Sequence, residues 1–347
     1  MDIKTDKILV TFALFSYNQE NYIRKALHGA LTQTYSPLEI IISDDCSEDK
    51  TWEIIQEVVK AYQGEHRVVI NRNQKNMGIT SHVNKMFSMA KGELIIMAAG
   101  DDVSESHRAA MIADHWIANG KPTCVLHSAL LTISDIKNFI PKRLSGKGYH
   151  CGHELNIDWY LNNNKLMMPI IGSTAAYTRN LYYEFGPMLE GGIIEDMVLT
   201  FRALLIGQVF YIDDILVRYR ISEHNISMGQ KRSDQERWIK WIKSMQKCIS
   251  NNIKDYLIYC KYNNIYPDVK IMNSLNEIYC NYGALLNFLG RNPLKILFAL
   301  HRYPGKNSCY SKISFLLYFF LANNIFYLLL FKTKLLFNNI FSFALKK

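Results

Sequence analysis

Residues 8–45, ILVTFALFSYNQENYIRKALHGALTQTYSPLEIIISDD, decide the fold of this chain. They open with an apolar run at 8–15 that is rich in strand-forming residues and too short for a helix of its own. At 21–33 the apolar residues recur with helical spacing, and after Pro37 a second strand-like run occupies 38–43. Two apolar strands joined by a helix are typical of a parallel sheet with helices on both faces.

The same alternation continues along the chain and predicts an α/β fold with a mainly parallel sheet. Helices are expected at 50–62 (capped by Asp49), 80–90 and 195–206. Further strands are expected at 67–71, 94–98, 124–133, 172–177, 209–212 and 215–219. From residue 233 onward the pattern is helical, with a basic amphipathic stretch at 237–249 and another helix that opens at Pro293.

Polar residues follow three of the predicted strands at the point where each strand ends. They are Ser16, Tyr17 and Asn18 after the first strand, Asp44 and Asp45 after the second, and Asp101 and Asp102 after the fourth. The carboxyl ends of parallel strands meet at one edge of a sheet, which is where ligands bind in such folds. The sequence therefore predicts a binding site that contains two acidic pairs and an aromatic ring.

Each acidic pair allows a functional and a structural interpretation. Asp101 and Asp102 could bind a hard divalent cation that bridges phosphates, or they could only cap a loop. Asp44 and Asp45 could accept hydrogen bonds from a base or ribose, or they could only start the next helix. Residues 195 and 196, Glu-Asp, could supply a general base after a loop that can move, or they could only favour the dipole of their helix.

Charge and motifs exclude several other classes of protein. Residues 278–347 hold nine basic residues and no acidic one, so residues 1–277 hold 31 of each kind and are neutral. A neutral body argues against nucleic-acid binding. No GxxxxGK loop, no GxGxxG after the first strand and no GxSxG elbow is present, which disfavours ATP hydrolysis, dinucleotide binding and serine hydrolysis. The seven scattered cysteines are typical of a reduced cytoplasmic protein.

The segment 12–55 resembles the opening of family 2 glycosyltransferases, which have the GT-A fold. That opening is a strand, T/S-Y-N, a helix that ends in Q-T, and then E-I-I-V-x-D-D-x-S-x-D-x-T. Four further blocks match in order over about residues 7–228. They are Asn76-Met77-Gly78 with Asn84, Ala90-Lys91-Gly92-Glu93, Glu195-Asp196 with Arg202 and Gly207, and Tyr219-Arg220 with His224 and Ser227.

The resemblance implies roles for the candidate residues. Tyr17, between Ser16 and Asn18, would stack on the base of a nucleotide diphosphate sugar, and Asp45 would bind that base, with Asp44 adjacent. Asp101 and Asp102 would bind Mg²⁺ or Mn²⁺ at the diphosphate. His224 would touch the diphosphate or the metal, or be a structural surface histidine. Asp196, next to Glu195, would be the base of an inverting transfer, and Gly172 and Ser173 would lie near the acceptor.

One position departs from the family pattern. The family usually has Asp-x-Asp-Asp at the metal-binding strand, whereas here the first position is Ala99. Two other functions stay open at this point. One is a nucleotidyltransferase that makes the sugar nucleotide, although residues 15–25 lack the glycine-rich loop that it would need. The other is an inactive nucleotide-sugar-binding module on a membrane, which the Ala99 substitution favours and the Glu195-Asp196 pair disfavours.

The C-terminal part predicts contact with a membrane. Sixteen of the 19 residues at 313–331 are apolar, and a helix of that length would measure about 28 Å. Because Asn323 and Asn324 interrupt it and lysines flank it, we expect helices that lie in the anionic cytoplasmic leaflet rather than a span or a packed lid. The expected domains are 1–230 (GT-A), 231–304 (helical extension) and 305–347 (apolar basic tail). The protein would act on the inner face of the cytoplasmic membrane, on a lipid-linked saccharide.

Overall fold

The computed structural model describes residues 7–137, 139–144, 157, 170–192, 194–221 and 235–289. Contacts between residues divide the chain into two units. The first contains residues 1–230 and 244–279, and the second contains 231–243 and 280–347. The first unit therefore includes a stretch, 244–279, that the sequence assigned to a separate helical extension. The predicted tail at 305–347 and the predicted helix at Pro293 lie outside the described residues.

Within the described residues the chain forms nine strands, eight α-helices and a 3₁₀ turn. The first half contains β1 (Val10–Ser16), α1 (Ile23–Leu31), β2 (Leu38–Asp44), α2 (Thr51–Ala61), β3 (Arg67–Arg72), α3 (Ile79–Met89), β4 (Leu94–Ala99), β5 (Val103–Ser104) and α4 (Arg108–Ala118). The second half contains β6 (Cys124–Ile133), β7 (Arg143–Leu144), the 3₁₀ turn Gly172–Thr174, β8 (Ala175–Thr178), α5 (Asn180–Tyr183), α6 (Glu195–Ile206), β9 (Gln208–Arg220), α7 (Gln235–Tyr262) and α8 (Val269–Leu289).

The strands form one sheet in the order β3-β2-β1-β4-β8-β6-β9-β5, and β7 pairs with β6. Strands β3, β2, β1 and β4 are parallel, as the sequence predicts. Strand β8 runs antiparallel to both of its neighbours, β4 and β6. Its direction could not be read from the local pattern, because a short apolar run looks the same in either direction. The sheet is therefore mixed, with a parallel half that carries the predicted nucleotide residues.

Strands β1, β2 and β4 are buried along almost their whole length. Alternate residues of these strands pack in one core cluster with α1 and α4, whose contributions include Leu27 and Trp116. The intervening residues, such as Ile41 and Ile95, are also buried. Successive residues of a strand point to opposite faces of the sheet, so buried apolar side chains at successive positions mean that both faces are covered. This confirms the predicted architecture.

Strand β9 differs from the sequence prediction, which broke it into two strands. The exposed residues Asp213 and Asp214 interrupt the apolar alternation. The pairing with β6 shifts there, from Ser128 opposite Ile212 to Ala129 opposite Ile215, so the strand continues through a bulge. Helix α4 was not predicted, whereas α8 lies in the region predicted to be helical from residue 233 onward, and α7 extends well beyond the predicted stretch at 237–249. Among the described helices none is long and apolar enough to span a bilayer.

Candidate functional site

Asp44 ends β2 and is fully buried. One carboxylate oxygen accepts a hydrogen bond from Ser16 Oγ at 3.3 Å, across the β1–β2 pair. The other accepts from the Ser47 amide at 2.9 Å and lies 3.6 Å from Arg72 Nε. These contacts compensate the cost of burying a carboxylate. Asp44 therefore holds together the loop that follows β2.

Asp45, the next residue, is also buried and binds a different segment. Its Oδ1 accepts hydrogen bonds from Asn73 Nδ2 at 2.8 Å and from the Met77 amide at 2.9 Å, and its Oδ2 accepts from the Gly78 amide at 2.9 Å. A carboxylate offers about four acceptor positions, and these three hydrogen bonds from the protein occupy three of them. Asp45 fixes the loop at 73–78 against the end of β2, and a nucleotide base could use only what remains.

Tyr17 and Asn18 complete this edge of the sheet. The side chain of Tyr17 is 41% exposed, so it lies at the surface rather than in the core. Asn18 adopts a φ of 51°, which asparagine tolerates better than most residues. Its amide donates to Ser47 Oγ at 2.9 Å, and its Oδ1 accepts from the Glu48 amide at 2.9 Å. The five residues predicted to bind the nucleotide thus come together.

His82 is part of the same region and was not identified from the sequence. It lies on α3, is buried, and places Nε2 at 2.7 Å from Ser43 Oγ. The edge of its ring meets Phe15 with centroids 5.2 Å apart. Burial lowers the pKa of His82, and the charges of Asp45 and Asp44 oppose that effect. The available signal was a histidine on the inward face of an amphipathic helix, next to Val83.

Asp101 and Asp102 follow β4 directly. The Oδ1 of Asp102 accepts a hydrogen bond from the Arg220 amide at 2.8 Å, whereas its buried Oδ2 has no hydrogen-bond partner. Burial and the charge of Asp101 raise the pKa of Asp102 to about 7, and burial raises that of Asp101. A buried carboxylate oxygen without a donor fits a cation ligand. No third His, Cys, Asp or Glu joins the pair among the described residues, and His224 lies outside them.

Glu195 and Asp196 begin α6, as predicted. Asp196 accepts hydrogen bonds from the Met197 amide at 2.8 Å and the Gly172 amide at 3.3 Å. Burial raises the pKa of Asp196 to about 6. Burial and the charge of Asp196 raise the pKa of Glu195 to about 8. The two carboxyl groups therefore share less than two negative charges near neutral pH.

The 3₁₀ turn Gly172–Thr174 lies between the two acidic pairs. A Cβ on Gly172 would come within 2.8 Å of Glu195 Oε1, so a larger residue there would require the Glu195 side chain to shift. The next residue, Ser173, places its hydroxyl beside Asp102, where it lowers the pKa of that carboxyl. The sequence predicted Gly172 and Ser173 near the acceptor. The structure brings both of them between Asp102 and Asp196.

A parallel half-sheet with acidic residues at its strand ends, joined to an antiparallel strand and to a helix that begins with Glu195 and Asp196, is the architecture of the GT-A fold. The model of the glycosyl transferase family 2 matches residues 11–175 of the chain. A mannosyltransferase from Pyrobaculum calidifontis has the same fold, with a TM-score of 0.51 and 15% identity over 85% of this chain and 79% of that one.

Two curated relatives match over about a quarter of this chain. An uncharacterized protein of Mycobacterium tuberculosis is 42% identical over 88 residues, which is 25% of each chain. The Escherichia coli protein WfaP, named a UDP-Glc:alpha-D-GlcNAc-diphosphoundecaprenol beta-1,3-glucosyltransferase, is 34% identical over 94 residues, 27% of this chain and 36% of that protein. The chain thus spans about a quarter to a third of the length of these relatives.

Replacing Glu195 by Gln should stabilise the protein at alkaline pH. The carboxyl ionises at about 8 in the folded state and at 4.5 in its ordinary state, so the unfolded chain holds fewer protons between those values. Stability from this group is therefore lost as the pH rises from 4.5 to 8, and a glutamine removes that loss. Without nucleotide or metal, thermal unfolding at pH 8 should show a melting temperature higher by a few degrees.

The gain should be much smaller at pH 5, because that pH is only half a unit above the ordinary value of 4.5 and little of the loss has yet occurred. Glu190→Gln is the control, since Glu190 is an exposed acid a few residues earlier. An equal change in melting temperature at both pH values would contradict the assignment.

Proposed function

We propose that the protein transfers a sugar from a nucleotide diphosphate sugar to a hydroxyl of a glycan acceptor, with inversion at the sugar carbon. The observation that supports this most is the 3₁₀ turn Gly172–Thr174, whose Gly172 amide donates to Asp196 at 3.3 Å and whose Ser173 lowers the pKa of Asp102. A leaving diphosphate and an attacking hydroxyl must lie on opposite sides of the sugar carbon in a single displacement. A site with carboxylates on each side of a narrow turn suits that geometry.

The donor would occupy the edge formed by β1, β2 and β4. The exposed ring of Tyr17 is available to stack on the base, and the loops that Asp44 and Asp45 organise would enclose it. Asp101 and the free Oδ2 of Asp102 would hold Mg²⁺ or Mn²⁺. When bound, such a cation stabilises the negative charge that develops on a leaving diphosphate. The Pyrobaculum structure contains GDP-Man and Mn²⁺.

Asp196 would act as the general base. A pKa of about 6 leaves it ionised at neutral pH and close to the operating pH, where proton transfer is efficient. Glu195, with a pKa of about 8, keeps its proton under the same conditions and therefore does not compete for the acceptor proton. The amides of Met197 and Gly172 orient the Asp196 carboxylate.

The acceptor would be a lipid-linked saccharide of cell-surface polysaccharide synthesis, and the protein would lie on the inner face of the cytoplasmic membrane. The name of the E. coli relative, which states a diphosphoundecaprenol-linked acceptor, supports this choice. So does the turn between α7 and α8, where exposed apolar side chains gather beside the exposed Lys261 and Lys270. Those side chains are Tyr262, Ile265, Tyr266 and Val269. Tyrosine and lysine together are typical of membrane interfaces.

Asp101→Asn should remove the Mn²⁺-dependent part of nucleotide binding. The amide keeps the size of the side chain but is a poor ligand for a hard cation. Thermal shift titrations with UDP, GDP and dTDP, with and without Mn²⁺, measure both parts and identify the base. In the wild type, one nucleotide should stabilise the protein, and more strongly with Mn²⁺.

Tyr17→Ala is the matched variant on the base side. This variant should weaken the binding free energy of the nucleotide by about 1–3 kcal/mol. The change should be equal with and without Mn²⁺, because a stacked ring does not contact the cation. The melting temperature without ligand should not change, since Tyr17 is exposed. Binding of all three nucleotides that is unaffected by Mn²⁺ and by Asp101→Asn would refute the metal site.

Asp196→Asn should separate chemistry from donor binding. The amide cannot accept the acceptor proton, so turnover should fall by about 10²–10⁴-fold while donor affinity changes little. Glu195→Gln should lose far less, because glutamine resembles the protonated carboxyl. In the wild type, turnover should rise with pH through about 6, as Asp196 ionises. A larger loss for Glu195→Gln would move the base to Glu195, and small losses for both would leave the pair a helix start only.

Replacing Tyr266 and Val269 by Ser should weaken binding to anionic vesicles. Both side chains are mostly exposed, so the double variant should fold normally. Cosedimentation with phosphatidylglycerol vesicles should fall about tenfold or more, since each buried apolar side chain contributes roughly 1.5–3 kcal/mol. Tyr183→Ser, another exposed tyrosine, is the control. Unchanged sedimentation of the double variant would exclude the turn as a membrane contact.

A further inference from the structure

The segment Pro187–Gly192, which leads to Glu195 and Asp196, is held by side chains from two helices. From α3, Asn84 makes a paired contact with the backbone of Met188. Its Oδ1 accepts from the Met188 amide at 2.9 Å, and its Nδ2 donates to the Met188 carbonyl at 2.8 Å. One side chain thus satisfies both backbone groups of a loop residue 104 positions away.

From α7, three side chains reach the same segment. Asn251 Oδ1 accepts from the Leu189 amide at 2.9 Å. Lys247 Nζ donates to the Glu190 carbonyl at 2.6 Å, and Lys254 Nζ donates to the Pro187 carbonyl at 3.3 Å. Four successive residues are therefore fixed by hydrogen bonds from outside the loop. Surface loops that connect elements are usually more mobile than this.

The contacts continue from the loop to the helix that carries the proposed base. Asn251 Nδ2 donates to Asp255 Oδ2 at 2.6 Å, and that carboxylate pairs with Arg202 Nε at 2.8 Å. Arg202 belongs to α6, the helix that begins at Glu195. Asn251, Asp255 and Arg202 are all at most 1% exposed. A buried ion pair of this kind is favourable only when its hydrogen bonds are satisfied, so its geometry is strictly fixed.

We infer that Asn84 and Asn251 are positioning residues for Asp196. Through Met188 and Leu189 they fix the segment before α6, while Asp255 and Arg202 fix α6 itself, so that Asp196 meets the amide of Gly172. Both asparagines bind the backbone of the loop, and the proposed contacts with donor and acceptor come from other residues. The inference rests on the proposed function, because it assigns Asp196 the proton transfer. A base displaced by about 1 Å can cost about 10²-fold in rate.

The test compares Asn84→Ala, Asn251→Ala and the double variant in the full-length protein. Each single variant should lower kcat by about 10-fold or more, with the KM for donor and the Kd for nucleotide diphosphate within about twofold. The double variant should lose less than the product of the single losses, since the loop is already released by one change. Amide hydrogen exchange at 188–189 should accelerate in all three variants, and this readout does not depend on activity.

Two controls make the result decisive. Ser250→Ala changes the neighbour of Asn251 on α7. The Ser250 hydroxyl donates to the Gln246 carbonyl of the same helix, so this variant should leave kcat and exchange unchanged. Asn84→Asp keeps the acceptor for the Met188 amide, so its kcat should fall less than that of Asn84→Ala. This variant replaces the alanine variants in the test if they fold poorly. Faster exchange with normal kcat, or parallel losses of kcat and nucleotide affinity, would overturn the positioning role.

Asp196→Asn is measured alongside these variants. Full turnover in Asp196→Asn would overturn the proposed base and the positioning role with it. An inactive Asp196→Asn together with normal turnover in Asn84→Ala and Asn251→Ala would overturn the positioning role alone.

Discussion

The structure depends on the burial of three strands, β1, β2 and β4, on both faces of the sheet. A strand covered on both faces leaves little room for charged side chains along its length, so charged groups collect near its ends. Asp44, Asp45, Asp101 and Asp102 all stand where such a strand ends. The apolar core thereby gathers the acidic residues at one edge, within the part that the family model matches.

Much of this edge could be predicted from the sequence, because each strand end is determined by nearby residues. The bounds of β1, β2 and β4 deviate by no more than two residues from the expected ones, and Glu195 does begin a helix. What could not be predicted depends on distant partners. The bonds from Asp45 to the loop at 73–78, the burial of His82 and the antiparallel direction of β8 all require the assembled fold. His224 and the tail lie outside the described residues.

The carboxyl groups of the site store unfavourable electrostatic energy. Burial raises the pKa of Asp102, Glu195 and Asp196, so each would be more easily ionised in the unfolded chain. Such groups lower the stability of the protein without ligand and make the site favourable for a positive partner. A cation or a proton that enters the site therefore also stabilises the fold.

The buried pair of Arg202 and Asp255 has a consequence for the smallest fragment that can fold. The family model ends at residue 175, and the motifs that resemble the family end near 228, yet Arg202 finds its carboxylate on α7. A protein cut after residue 230 would keep every motif and leave a guanidinium in the core without its counter-charge, which typically costs about 3–5 kcal/mol. The compact unit that holds these motifs therefore includes residues 244–279, well beyond the part that the family model matches.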